Sequence, residues 1–272
     1  MTLDLAPIPS APEKAAPAAR PWSRTWRGWS CLALFLVAPL GWFVRGRFIR
    51  RLEPERLKQG LVLILPGIEG RSFLNLAILQ GLLDAEIPYA LEIVDWTTGN
   101  KLLALYHLRS RRRNQQRARE LAERIAAYRR EFPDRPVWIV GHSGGGAMAL
   151  FTAAALPDEV RVTGLILLAA AVSPGFDLTT AQAKVERGIW SYWSYFDCLF
   201  VGLGTTLFGT VDGRHGPSAG MIGFRLNAGA ESPRVEQIPY RPGFIRQFNL
   251  GGHFGCVHRV FIAEAVAPIV RE

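Results

Sequence analysis

Cysteine and methionine are scarce, three of each in 272 residues. Three cysteines cannot form a disulfide framework, which excludes a small stapled secreted fold. No CxxC or HExxH spacing occurs, so neither a zinc knuckle nor a zinc-peptidase helix is written into the chain. There are no internal repeats. Charged residues make up 20% and hydrophobic residues 49%, a balance that excludes both wholesale disorder and a long coiled coil. Acidic residues are in deficit, giving a formal net charge of +9. The surplus is local. Residues 1–60 hold ten Lys/Arg against four Asp/Glu, residues 101–135 hold eleven against four, and the remainder holds eleven against fifteen. Such placement reads as surface steering or membrane adhesion. The one dense basic run beyond the N-terminal region, Arg109–Arg113, has no interleaved aromatics, so no nucleic-acid partner is expected.

The length suits one large α/β domain, assigned here to residues 56–272, behind two N-terminal segments. Residues 1–28 carry Pro7, Pro9, Pro12, Pro17 and Pro21 among many alanines. A tail of that composition cannot bury a core and is expected to be disordered. Residues 29–50 are expected to form an apolar helix that is either membrane-associated or capping. Trp29–Val44 carries no charge between Arg27 and Arg45. As a helix it would extend roughly 25 Å, the short end of a bilayer crossing, with Pro39 imposing a kink. Trp22, Trp26 and Trp29 follow i, i+4, i+7 spacing and Trp42 sits at the far end, as in an interfacial belt. Membrane contact through residues 29–44 is therefore expected. If the segment spans, the arginines after it place the following domain in the cytoplasm.

Leu61–Leu65 (LVLIL), Tyr89–Val94, Val137–Val140 (VWIV), Leu165–Ala170 and Gly188–Tyr195 read as buried strands, with the last strand or its approach in Pro239–Leu250. Helical spacing marks Ser72–Leu83, Arg109–Arg130, Ala147–Leu156, residues 180–187 and Val257–Val270, the last stopped near Pro268. The long helix points Leu121, Ile125 and Tyr128 inward, and its arginines read as a solvated face. Gly202–Gly229 is glycine-rich and reads as an irregular insertion over one end of the sheet. Alternation of strand and helix predicts a mostly parallel, doubly wound sheet with flanking helices.

Gly141-His142-Ser143-Gly144-Gly145 matches G-x-S-x-G between a predicted strand and a predicted helix. A sharp strand-to-helix reversal holds a hydroxyl at its tip, tolerable only where the neighbours have little side chain. The helix N-terminus beneath it favours developing negative charge. Over residues 61–270 the chain resembles the α/β-hydrolase family, of the serine esterase and lipase kind. The resemblance implies a Ser–acid–His triad in that chain order. It also implies an oxyanion hole of two backbone N–H groups, one from Gly144 and one from the loop Pro66-Gly67-Ile68-Glu69-Gly70. That second donor is assigned to Ile68, with Gly67 as its neighbouring alternative.

Of five histidines, His107 lies upstream on a helix, His142 is the x of the elbow and suits packing, and His215 lies in the glycine-rich insertion. His253, in Gly251-Gly252-His253-Phe254-Gly255, follows the last strand and is the expected general base, with His258 in reserve. Asp197 occupies the family's position for the acid. Asp177 and Asp212 remain alternatives, each of which would otherwise be a turn or capping aspartate. Cys198 and Cys256 flank the expected acid and base, either as two free thiols or as a pair that stiffens the loop.

The expected chemistry is hydrolysis of a small-molecule or lipid-like carboxylic ester through an acyl-enzyme on Ser143, needing no metal and no organic cofactor. The serine argues against branches of the family that use an aspartate nucleophile. Acyl transfer or thioester hydrolysis by the same triad, and a catalytically idle membrane-anchored scaffold, are the competing readings.

Overall fold

The structure, a computed structural model, describes residues 23–43, 48–226 and 235–272. Seven strands form one sheet in the order β1-β3-β2-β4-β5-β6-β7. They are β1 (Arg50–Arg51), β2 (Leu61–Leu65), β3 (Ala90–Ile93), β4 (Val137–His142), β5 (Val162–Leu168), β6 (Val185–Trp193) and β7 (Val235–Pro239). Only the short edge strand β1 is antiparallel to its neighbour. The central strands are continuous apolar runs because both faces are covered. Leu61, Leu63 and Leu65 of β2 join the core under the helices Arg111–Glu131 and Gly144–Ala154, and Val62 and Ile64 join the core on the other face. The same alternation divides Val137 and Ile139 from Trp138 and Val140, and Leu165 and Leu167 from Ile166 and Leu168.

Strand order reverses direction between β2 and β4, which leaves a crevice at their C-terminal ends, where open α/β sheets place ligands. The loop after β2 and the turn after β4 both open there.

Several elements differ from expectation. Residues 180–187 divide: the helix covers only Thr179–Ala183, and β6 has begun by Val185, paired with Val162. The last strand lies earlier than expected, at Val235–Pro239, and a 3-10 helix at Pro242–Gln247 follows it. The C-terminal helix passes Pro268 instead of stopping there. A π-helical turn at Ile262–Val266 precedes the proline, and helix continues over Ala267–Arg271. The wider turn absorbs the i−4 clash and missing N–H that a proline brings.

The long helix buries Leu121, Ile125 and Tyr128 as read, but its arginines are only partly a solvated face. Arg124 reaches the buried Glu92 of β3, which Arg50 of β1 also meets at 3.1 Å. Arg113 donates to Trp96 O at 2.8 Å, and Arg129 pairs with Glu186.

The expected N-terminal apolar helix is not formed as one element. Arg24–Phe35 is an α-helix capped by Ser23, and Ala38–Phe43 is a 3-10 helix. Among the described residues no helix is long and apolar enough to cross a membrane. Pro39, lacking an N–H, cannot extend the α-helical ladder. The α-helix is instead fastened to the domain. Arg24 pairs with Glu264 at 2.5 Å, Arg27 pairs with Asp84 at 3.0 Å, and Gly28 O accepts from His258 Nε2 at 3.1 Å. Residues 23–28, read as part of the disordered tail, form the cap and the first residues of this helix. Residues 1–22 of that tail, with Trp22, and Arg45 and Arg47 lie outside the described residues.

Candidate active site

Strand β4 ends at His142, and the chain turns at Ser143 into the helix Gly144–Ala154. Ser143 has φ 54° and ψ −119°, a left-handed-side conformation that costs roughly 1–3 kcal/mol for a residue with a side chain. Three backbone bonds hold it there. Ser143 N–H donates to Leu168 O at 2.9 Å, and Ser143 O accepts from Gly146 N at 3.0 Å and Ala171 N at 2.9 Å. The flanking glycines are required by space. A Cβ on Gly141 would lie 2.3 Å from Gly145 O, and one on Gly145 would lie 2.1 Å from Leu65 O. The turn can therefore sit directly against the end of β2.

His253 lies in the short helix Gly252–Gly255 and is buried. Its Nδ1 is 2.6 Å from Oδ2 of Asp197, which is itself buried just beyond β6. The Nδ1–H donates to the carboxylate, which leaves Nε2 as the lone-pair nitrogen. Phe200 stacks on the His253 ring at 4.8 Å between centroids. The His142 ring lies 4.7 Å away, and its Nε2 donates to His253 O at 3.1 Å. Burial pushes His142 down to about 3, so its ring is neutral and serves as a packing and hydrogen-bonding strut.

The loop after β2 crosses in front of the elbow. Ile68 N lies 3.4 Å from the point a Cβ on Gly144 would occupy, which brings the two expected oxyanion donors together. Residues to which the sequence assigned no role fix this loop. Trp96 Nε1 donates to Pro66 O at 2.7 Å. His107 holds Ile68 O at 2.9 Å through Nδ1, while its Nε2 accepts from Thr98 N at 3.1 Å. That pattern requires the neutral Nδ1–H form, and burial lowers the affinity of His107 for a second proton. Glu69 follows Ile68. Its carboxyl folds over Gly67, accepts from Ser72 Oγ at 3.3 Å and is pushed upward by burial. A charged residue between Ile68 and Gly70, beside the expected donor, was the sequence signal for Glu69. His107 and Trp96 gave none, because their partners are backbone atoms remote in sequence.

Ser143, His253, Glu69 and Ser72 all open into one cavity of about 590 Å³. The rest of its wall is almost wholly apolar and includes Phe35, Leu74, Leu105, Phe200, Leu203 and Phe208.

The alternatives lie elsewhere. His258 caps the turn Arg259–Phe261, stacks on Phe248 and donates to Gly28 O. His215 contacts Thr206 O at 3.1 Å. Asp177 is exposed and accepts from Thr179 N at 2.9 Å. Asp212 accepts from Ser173 N, Ser173 Oγ and Thr210 Oγ1, tying the glycine-rich insertion to the loop after β5. Cys198 is exposed and Cys256 buried; both are free, so no bridge stiffens the loop. Among the described residues no group of three or more His, Cys, Asp or Glu is placed to hold a metal ion.

Residues 110–194 match the family described as serine aminopeptidase, S33. No curated protein matches the chain. Similar solved structures include a predicted CIB-like hydrolase from Thermoplasma acidophilum, at 15% identity and TM-score 0.45, covering 82% of this chain and 90% of that one. Est1E from Butyrivibrio proteoclasticus shares 15% identity at TM-score 0.44, with the same two coverages. The poly(3-hydroxybutyrate) depolymerase LpqC from Bordetella parapertussis shares 12% at TM-score 0.46, covering 78% of this chain and 80% of that one.

Proposed function

We propose that this chain, whose residues 110–194 match the family described as serine aminopeptidase, S33, is a serine hydrolase cleaving a carboxylic ester with a hydrophobic acyl group. The observation that carries this reading is the Asp197–His253 hydrogen bond, whose histidine shares one apolar cavity with a serine held at positive φ.

In this mechanism Ser143 Oγ attacks the acyl carbonyl carbon while His253 Nε2 takes its proton. Asp197 fixes the ring through Nδ1–H and stabilises the imidazolium that forms. The carbonyl oxygen becomes an oxyanion between the N–H groups of Ile68 and Gly144, at the positive end of the helix that begins there. Collapse breaks the ester C–O bond, the alkoxide takes the proton from His253, and the alcohol departs. Water then attacks the acyl-enzyme, again giving its proton to His253. Collapse returns that proton to Ser143 and releases the carboxylic acid. Each oxyanion donor is worth on the order of 10²–10³ in rate.

The test is a fluorophosphonate probe on the folded full-length protein. Labelling at Ser143, lost in Ser143→Ala together with ester turnover, supports the proposal. Folded wild-type protein that resists the probe would instead be the idle scaffold.

A further inference from the structure

We propose that the mouth of this cavity docks on an anionic lipid bilayer, so that the ester enters from the lipid and not from water. The inference rests on the ester-hydrolase reading for the identity of what enters. It rests on separate observations for the docking.

Three stretches remote in sequence meet around the cavity. They are the N-terminal segment with Phe35 and Ala38, the segment with Leu105 and Leu108, and the stretch 199–208 after Asp197. Each also presents large apolar side chains to solvent. Leu36 is 87% exposed, Leu102 is 93% exposed, and Leu207, at 60%, both lines the cavity and faces outward. Leu34, Val37, Leu40, Tyr106 and Leu199 are exposed beside them. Scattered exposed leucines are ordinary, but a collar continuous with the lining of an apolar cavity is a binding surface.

Charge selects the partner. Residues 98–119 contain no Asp or Glu, and neither do residues 15–52. In residues 198–211 there is none either, and Asp197, just before them, is buried against His253. Arg109, Arg111 and Arg112 are exposed directly after the helix Ala104–Arg109. They sit at the start of the long helix that feeds β4, hence at the cavity edge of the sheet. Apolar side chains on stretches that carry no exposed acid of their own, flanked by these three arginines, complement an anionic headgroup layer over an acyl interior. A protein partner would bring acidic residues as well as an apolar face, but the continuity of the collar with an acyl-sized cavity favours lipid.

The experiment uses full-length protein and sedimentation with phosphatidylcholine vesicles, with and without phosphatidylglycerol. Expected is binding that requires phosphatidylglycerol and weakens with salt. The double variant Leu36→Asp/Leu102→Asp touches neither the cavity lining nor the triad. It should lose on the order of tenfold in vesicle binding and keep wild-type fluorophosphonate labelling and turnover of a water-soluble acetyl ester. Arg111→Gln/Arg112→Gln should lose the preference for phosphatidylglycerol, while Arg130→Gln, at the opposite edge of the sheet, should keep it. Wild-type protein that does not sediment, or a double variant that binds as well as wild type, overturns the proposal. So does a dimer that the double variant disperses without any vesicle binding, which would assign the collar to a second copy. Vesicle binding without fluorophosphonate labelling would leave the docking standing and remove the hydrolase reading. Labelling without vesicle binding would do the reverse.

Discussion

In the proposed mechanism Ser143 is the side chain made reactive and Asp197 the one that holds the base. The serine is strained by its backbone, and the strain is supported by three hydrogen bonds from β5 and the loop after it and from its own helix. The aspartate is buried, and its only side-chain partner among the described residues is His253. Asp197→Asn would keep the shape but lose the charge that favours the imidazolium. Turnover should fall on the order of 10³–10⁴ with substrate affinity little changed. Asp177→Asn, at an exposed turn, should leave turnover near wild type. Asp212→Asn should reduce stability through its three lost or weakened bonds, without a comparable loss of turnover per folded molecule. Ester kinetics beside urea unfolding of the three variants separates these outcomes. A large loss of turnover in Asp212→Asn alone would move the acid to that residue.

Among the elements, the elbow packs directly on the end of β2. Gly145→Ala would drive a methyl into Leu65 O and Pro66 O, backbone atoms of a buried strand end that cannot step aside. A loss of about 3 kcal/mol is expected, measured by thermal or urea unfolding. Gly175→Ala is the contrast. Nothing lies within 4 Å of its Cβ and its φ is not in the left-handed region, so stability should hold or rise by about 0.4–1 kcal/mol. The N-terminal helix gives a pH prediction. Burial pushes His258, which holds Gly28 O, down from 6.5 to about 4, and His142 down to about 3. Between pH 6.5 and those values the unfolded chain binds protons that the fold refuses, so stability is full above pH 6.5 and is lost as pH falls toward 4. Urea midpoints should be flat from pH 8 to 7 and decline below 6.5. His258→Asn should start less stable and decline less steeply.

At the scale of the molecule, the N-terminal helix is part of the cavity's frame. Gly28 lets it approach Phe248 so closely that a Cβ there would lie 2.2 Å from the ring, and Phe35 at its other end lines the cavity. Substrate profiles therefore belong to the full chain, since removing this segment would open the wall. A wall so apolar should reward each added methylene of the acyl chain by about 0.8 kcal/mol when buried. On an ester panel, kcat/KM should rise about two- to fourfold per carbon from acetyl until the cavity is filled. A profile that is flat, or falls beyond acetyl, would show that the acyl group lies elsewhere.

Apolar runs of four to six residues, one ended by Pro-Gly and one by the glycine-rich elbow, determined the central strands and their parallel pairing, because an extended chain covered on both faces is built mainly of apolar residues. The elbow also singled out Ser143, since only glycines fit where backbone meets backbone. The sequence could not decide where the polar side chains of distant segments meet. Asp197 and Asp177 look alike as residues that follow strands, and Asp212 as a turn aspartate; only their partners in space distinguish an imidazole from a turn N–H or a hydroxyl. Likewise, composition alone leaves the apolar run near the N-terminus either membrane-associated or capping. The arginines just ahead of it, Arg24 and Arg27, find Glu264 and Asp84 only once the chain is folded, and those pairs fasten the segment as a wall of the cavity.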